Sequence, residues 1–125
     1  SFRVLVEGAP RQLNPSLKED LYRISREAVA NALRHSQASS IELDIRYGAR
    51  VLRLRVRDNG IGMDSNIMAD GGRDGHWGIP GMQERARAIQ GCLEIWSEVS
   101  RGTEIELRVP ATIAYSGFKR PPCNG

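Results

Sequence analysis

Residues 52–57 alternate without a break: Leu52, Leu54 and Val56 interleave with Arg53, Arg55 and Arg57. A period of two places these sets on opposite faces of an extended strand. One face is apolar and the other cationic, so protein can cover this strand on one side only. The preceding segment has the same pattern. Ile41, Leu43, Ile45 and Tyr47 alternate with Glu42, Asp44 and Arg46, and Gly48-Ala49-Arg50 joins the two runs as a hairpin. A sheet of this kind needs a helix layer on its apolar face and tolerates water on the other.

The rest of the chain supplies that layer. Asn14-Pro15 and the Ser16/Glu19 pair are helix-start signals. Leu17, Leu21, Ile24, Ala28 and Ala32 then recur at helical spacing and predict a long helix to about His35. A second helix is predicted from about Pro80 to Gln90, with Met82, Ala86 and Ile89 on its apolar face and Gly91 as the left-handed stop. Strands are predicted at residues 2–6, 92–99 and 103–109, the last two joined by Ser100-Arg101-Gly102. Residues 64–77 are rich in Gly and Asp, lack a period and predict a mobile loop. The segment from Tyr115 to Gly125 is predicted to be disordered. The expected fold is α+β: a two-layer sandwich with a mixed, mostly antiparallel sheet and helices on one face. The expected domain spans residues 1–112, and residues 113–125 form a tail.

At 125 residues the chain fits one domain. No apolar run approaches the roughly 20 residues of a membrane helix, and the opening residues do not form a signal peptide. Two cysteines, Cys92 and Cys123, make neither a disulfide framework nor a metal site, and suit a reducing compartment. The net charge of +3 suits an anionic ligand and equally an ordinary surface. The chain enters a strand pattern at once without an initial Met, and reads as part of a longer protein.

Four segments carry candidate chemistry. Asp58 shares the parity of Leu52, Leu54 and Val56, so its carboxylate faces the helix side, where it needs a partner. Gly60 and Gly62 follow and let backbone approach a ligand closely. An inward acid beside bare backbone suits a flat ligand with an amino donor, such as adenine; a plain Asx-type turn explains Asp58-Asn59-Gly60 as well. On the first helix, Glu27, Asn31 and His35 lie four residues apart on one face, with Arg34 beside them. A carboxylate, a carboxamide and two cationic groups suit a magnesium and phosphate site, and also suit a solvated helix face. The run from Gly75 to Met82 (Gly-His-Trp-Gly-Ile-Pro-Gly-Met) opens into the second helix, where free amides favour phosphate. It is neither a Walker loop nor a Rossmann fingerprint, and a simple helix entry accounts for it equally. Last, Thr103 shares parity with Ile105, Leu107 and Val109, which turns its hydroxyl inward, toward the group that Asp58 faces.

These four motifs, in this order, resemble the ATP-binding catalytic domain of bacterial sensor histidine kinases, within the Bergerat-fold ATPase superfamily. The asparagine box resembles residues 25–36 (Ser-Arg-Glu-Ala-Val-Ala-Asn-Ala-Leu-Arg-His-Ser). The glycine boxes resemble Asp58-Asn59-Gly60-Ile61-Gly62-Met63 and residues 75–86, and Gly102-Thr103-Glu104-Ile105 matches the closing motif. The resemblance covers residues 21–110. The short lid and the Gly-Met-x-Glu-Arg run look most like the subfamily whose response regulators carry LuxR-type DNA-binding domains.

The resemblance implies that Asn31 ligates Mg²⁺ bridging the phosphates, and that Asp58 accepts from the adenine amino group with Thr103 assisting through water. It implies that Gly60, Gly62, Gly78 and Gly81 shape the pocket and lid. Arg34 and His35 approach phosphate, and Glu27 stands where relatives place a general base or polarising carboxylate. Met63, His76, Ile79 and Met82 complete the expected ATP contacts. Trp77-Gly78-Ile79-Pro80 departs from the family, which usually has a small or polar residue before Gly-Leu there, and Pro80 fixes the backbone at the helix entry. The implied function is to bind Mg-ATP and present its γ-phosphate to a histidine on a separate dimerisation domain, whence it passes to a response regulator. The full protein would be a cytoplasmic or inner-membrane-anchored homodimer whose catalytic domain makes no direct membrane contact.

Two rival readings exist. An anti-sigma-factor-type serine kinase uses a related fold but stands alone. A nucleic-acid-binding module would use the outward row Arg53, Arg55 and Arg57. No aromatic positions interleave with that row, so nucleic acid is not the expected partner.

Overall fold

In a computed structural model of the chain, the residues described are 1–35, 37–62 and 78–117, the His35 side chain excepted. The order is β1 (Phe2–Glu7), α1 (Pro15–His35), β2 (Ile41–Tyr47), β3 (Val51–Asp58), α2 (Ile79–Ala88), β4 (Cys92–Glu98), β5 (Gly102–Pro110) and the short α3 (Ala111–Ala114). The five strands form one sheet in the order β1-β2-β3-β5-β4. β1 and β2 pair in parallel, with α1 as the crossover between them; every other pair is antiparallel. This is the expected α+β sandwich with a mixed sheet.

β2 to β5 turn their apolar sets to the helices, whereas the apolar residues of β1 (Phe2, Val4 and Val6) stay exposed. Leu17, Leu21, Ile24, Ala28 and Ala32 of α1 pack into one core with Met82 and Ala86 of α2 and with Leu52, Leu54, Val56, Ile105, Leu107 and Val109 of the sheet. Tyr115 closes this core from below. It is 1% exposed, and its hydroxyl donates to the Gly48 carbonyl at 2.7 Å. Its ring stacks on Tyr47 at 6.4 Å, and the Arg11 guanidinium lies 4.0 Å above it.

Three local readings are corrected. The tail does not begin at residue 113: α3 and Tyr115 belong to the packed domain, because a ring of that size finds its cover only in the folded core. Residues 118–125 lie outside the described residues. The left-handed stop after α2 falls on Gln90 (φ 57°), not on Gly91. Gly91 is required for a different reason: a Cβ there would press on Leu107 Cδ1 at 3.0 Å and the Arg108 carbonyl at 3.1 Å. Asn14 precedes α1 as expected, but its side chain donates to the Ile113 carbonyl at 2.6 Å and ties α1 to α3.

The open face of the sheet is a charge ladder. Arg57 lies 3.3 Å from Glu42 and 3.6 Å from Glu104, and Arg3 lies 2.9 Å from Glu42. Asp44 is 1% exposed even though this is the solvent side, because Arg55 (3.0 Å) and Arg53 (3.3 Å) fold over it. The arginine row that would have served nucleic acid is therefore matched by carboxylates on its own sheet. Replacing Asp44 leaves two partly buried guanidinium groups without their shared carboxylate. Asp44→Ala is expected to lower stability by about 3 kcal/mol in urea unfolding, and a loss below about 1 kcal/mol would show that the arginines simply turn to water.

Candidate functional site

β3 ends at Asp58, whose Cα partner across the sheet is Thr103 of β5, and the partner of Thr103 is Ser97 of β4. The three polar residues form one row on the helix face, continuing a level of the core where Ile41 pairs with Asp58. Asp58 Oδ1 accepts from the Gly60 amide at 2.9 Å. The Asx turn is thus present, and it holds the carboxylate in place for further use. Burial pushes the Asp58 carboxyl above its usual value, while the amides of Gly60 and Thr103 pull it down; burial is the larger influence. Thr103 was expected to offer its hydroxyl to the group that Asp58 binds. Its Oγ1 stands 2.8 Å from Ser97 Oγ, and its backbone amide donates to Asp58. Ser97 was missed from sequence, although it shares the inward parity of Leu93 and Ile95 and could have been found by it.

α1 crosses over this row. Ala28, Asn31 and Ala32 face Val56, Asp58, Thr103 and Ile105, leaving about 10 Å³ between them, room for roughly one water. Asn31 is 4% exposed, so it belongs to the interior and not to a solvated helix face. Alanines at 28 and 32 keep the helix from filling the space above Asp58. The described residues therefore make the polar floor of a site and one of its walls.

The turn after Asp58 is held by close backbone contact. Gly102 (φ 105°) lies so near the Asp58 carbonyl that no Cβ fits, and Gly62 (φ 73°) lies as near the Glu98 carbonyl. The Ser100 amide donates to the Ile61 carbonyl at 2.8 Å. On its other side Asn59 accepts from the amides of Ser39 (3.0 Å) and Ser40 (2.9 Å), which ties the turn to the loop after α1.

At the far end, Gly78 takes a left-handed conformation (φ 63°) and begins α2, with Pro80 in the first turn where a missing N–H costs nothing. A Cβ on Gly78 would run into the Glu27 carboxylate. Glu27 lies 3.6 Å from Arg34. Ile79 and Met82 are buried in the core, and Gly81 has open space around it. Asn31, Asp58 and Thr103 thus line one small space between α1 and the ends of β3 and β5, with Gly60 and Gly62 in the turn after β3, while Glu27, Arg34 and Gly78 line a second space between α1 and the start of α2. Met63, His76, the His35 side chain and the 64–77 loop lie outside the described residues.

A Bergerat-type floor of this sort defines a class, and the family comparison agrees. A family profile described as "Histidine kinase-, DNA gyrase B-, and HSP90-like ATPase" matches residues 16–113. The chain belongs to that family. Relatives include the signal transduction histidine-protein kinase/phosphatase DegS of Bacillus subtilis, 31% identical over 90% of this chain and 29% of that protein. The sensor histidine kinase LiaS of Bacillus subtilis is 36% identical over 78% of this chain and 26% of its own length. The nitrate/nitrite sensor protein NarX of Escherichia coli K12 is 36% identical over 77% of this chain and 16% of its own. The chain therefore spans less than a third of the length of these relatives. A histidine kinase domain from the Erythrobacter litoralis EL346 blue-light activated histidine kinase superposes with a TM-score of 0.70, covering 89% of this chain and 55% of that one at 18% identity, which is a likeness of fold.

The burial of Asp58 has a sign. Its folded pKa lies above the ordinary 3.8, so the folded state holds the proton more tightly and stability falls as pH rises through the window between the two values. Above that window the ionised carboxylate is a standing cost. Asp58→Asn keeps an oxygen for the Gly60 amide and removes the charge. It is expected to be at least as stable as the wild type in urea at pH 7, with its advantage shrinking as pH drops below the window. A variant clearly less stable at pH 7 would show that the charge supports the fold.

Proposed function

We propose that this chain binds ATP with Mg²⁺ and presents the γ-phosphate to a histidine on a separate dimerisation domain, as the catalytic part of a two-component sensor kinase. The observation that carries the reading is Asp58: a carboxylate held on the core face at the end of a strand, with its backbone turn pinned and small residues above it. Such a group accepts well from the exocyclic amine of adenine, since a donor there meets an acceptor already removed from bulk water. Thr103 and Ser97 can position a water beside it.

The residues also fit the metal. The buried carboxamide of Asn31 is a hard oxygen donor in the same cleft. In this reading Asn31 would hold the ion together with phosphate oxygens. Mg²⁺ supplies charge neutralisation at the phosphates. Gly78 lets backbone come close to Glu27, and Arg34 beside it offers a cation to phosphate oxygens. Glu27 stands where it can accept a proton from, or polarise, an incoming acceptor. Transfer of this kind depends on positioning more than on covalent help from protein.

The phosphoacceptor domain, a response regulator of the LuxR type, homodimerisation and attachment of the parent protein to a membrane belong to this same proposal. No helix among the described residues is long and apolar enough to cross a membrane. The sequence has two histidines, His35 and His76, both inside the ATP motifs. The chain alone is expected to bind Mg-ATP without acquiring acid-labile label from [γ-³²P]ATP.

Calorimetric titration tests the reading. Wild type is expected to bind Mg-ATP, and Asp58→Asn to bind at least tenfold more weakly because an amide presents a donor where an acceptor is needed. Equal affinity in the two proteins would misplace the adenine site, and no binding in either would remove it.

A further inference from the structure

Between α1 and α2 lies a groove of about 530 Å³ whose described lining is Arg23, Arg26 and Arg34 from α1 and Arg85 from α2, with one carboxylate among the described lining residues, Glu27, and Gly78 at one end. α1 presents its three arginines along the side that faces α2, and the chain could have put solvent-neutral residues there at no cost to the core. We propose that this groove docks an acidic segment of the phosphoacceptor protein. This rests on the nucleotide reading above and names the surface through which its partner arrives.

Length separates this role from phosphate binding. Arg23 starts eight residues from Asn31, about 12 Å along the helix axis, and Arg26 about 7.5 Å. Arg34 and Glu27 start only three and four residues from Asn31, nearer to a phosphate chain anchored there than Arg23 is. The half of the groove away from Asn31 is lined by Arg23, Arg26 and Arg85. An acceptor attacking the γ-phosphate must come in line from the open side, past Glu27 and Gly78, so the residues flanking that acceptor are carried over the far half. Carboxylates on them would complement it.

The present partners of these arginines are exchangeable. Arg23 pairs with Glu19 at 2.8 Å in a solvent-exposed pair, and Arg85 with the partly buried Asp20 at a longer 3.5 Å. Exposed pairs of this kind contribute little and give way to a better-placed anion. Arg26 is exposed and has no ion-pair partner among the described residues. The opposite face of the sheet differs, since there Asp44, Glu42 and Glu104 answer the arginines from fixed strand positions.

The test uses the whole 125-residue chain and a fluorescein-labelled helical peptide carrying Glu at every fourth position. Polarisation titrations are run with and without saturating Mg-ATP, at two salt concentrations. The peptide is expected to bind in both nucleotide states, more weakly at high salt, and at least tenfold more weakly to Arg23→Glu/Arg26→Glu. That variant should keep the wild-type affinity for Mg-ATP, which also shows that it folds. Arg46→Glu, on the open face of the sheet, should leave peptide binding unchanged. The proposal is overturned if the peptide fails to bind or if Mg-ATP displaces it fully, which would make the groove phosphate territory only. An equal loss from Arg46→Glu would also overturn it, by showing attraction to net charge alone. The Mg-ATP titration reads the nucleotide proposal separately, so either can fail without the other.

Discussion

The register of β3 on β5 is the constraint on which the rest of this molecule depends. These two strands have neighbours on both sides, and their pairing brings Leu52, Leu54 and Val56 level with Val109, Leu107 and Ile105. A slip of one residue would turn an arginine row into the core. The same register that buries the aliphatic rows carries Asp58 level with Thr103. The polar row is thus an extension of the hydrophobic ladder by one more rung, and core packing aims the Asp58 carboxylate.

Holding that last rung needs more than strand pairing, because β3 stops there. The turn is closed by backbone lying on backbone: Gly102 on the Asp58 carbonyl and Gly62 on the Glu98 carbonyl. Three loops meet at this point, since Asn59 also holds the segment after α1. Glycine at 62 and 102 is demanded by contact as well as by positive φ. The turn is braced by main chain and not by bulky side chains.

Charge is distributed by the same two-layer logic. The open face of the sheet is rich in arginine yet internally matched, with Asp44 hidden under its own partners. The groove between the helices is also rich in arginine, and its arginines other than Arg26 pair with carboxylates on α1. A modest net charge of +3 says nothing about this difference. On the sheet the partners stand on neighbouring strands, whereas at the helix edge the carboxylates stand on α1, and Arg26 alone among these arginines has no ion-pair partner among the described residues.

Much was legible without coordinates. Period-two alternation over 41–57 determines a one-sided sheet, and helical spacing from Leu17 to Ala32 determines its cover. Parity alone turned Asp58 and Thr103 inward. What periodicity could not reach was lateral neighbourhood. That Ser97 stands beside Thr103, that β1 runs parallel to β2, and that Tyr115 reaches Gly48 across 67 residues are facts of which segments lie side by side. The roles of Gln90 and Gly91 were exchanged for a similar reason: a local rule reads a glycine as a turn, while the atoms of Leu107 and Arg108 were the actual demand. The sequence by itself determined which face each residue serves, because that follows from backbone geometry over two to four residues. Only the tertiary structure decided what each residue meets there, because contacts across strands depend on how the whole chain packs.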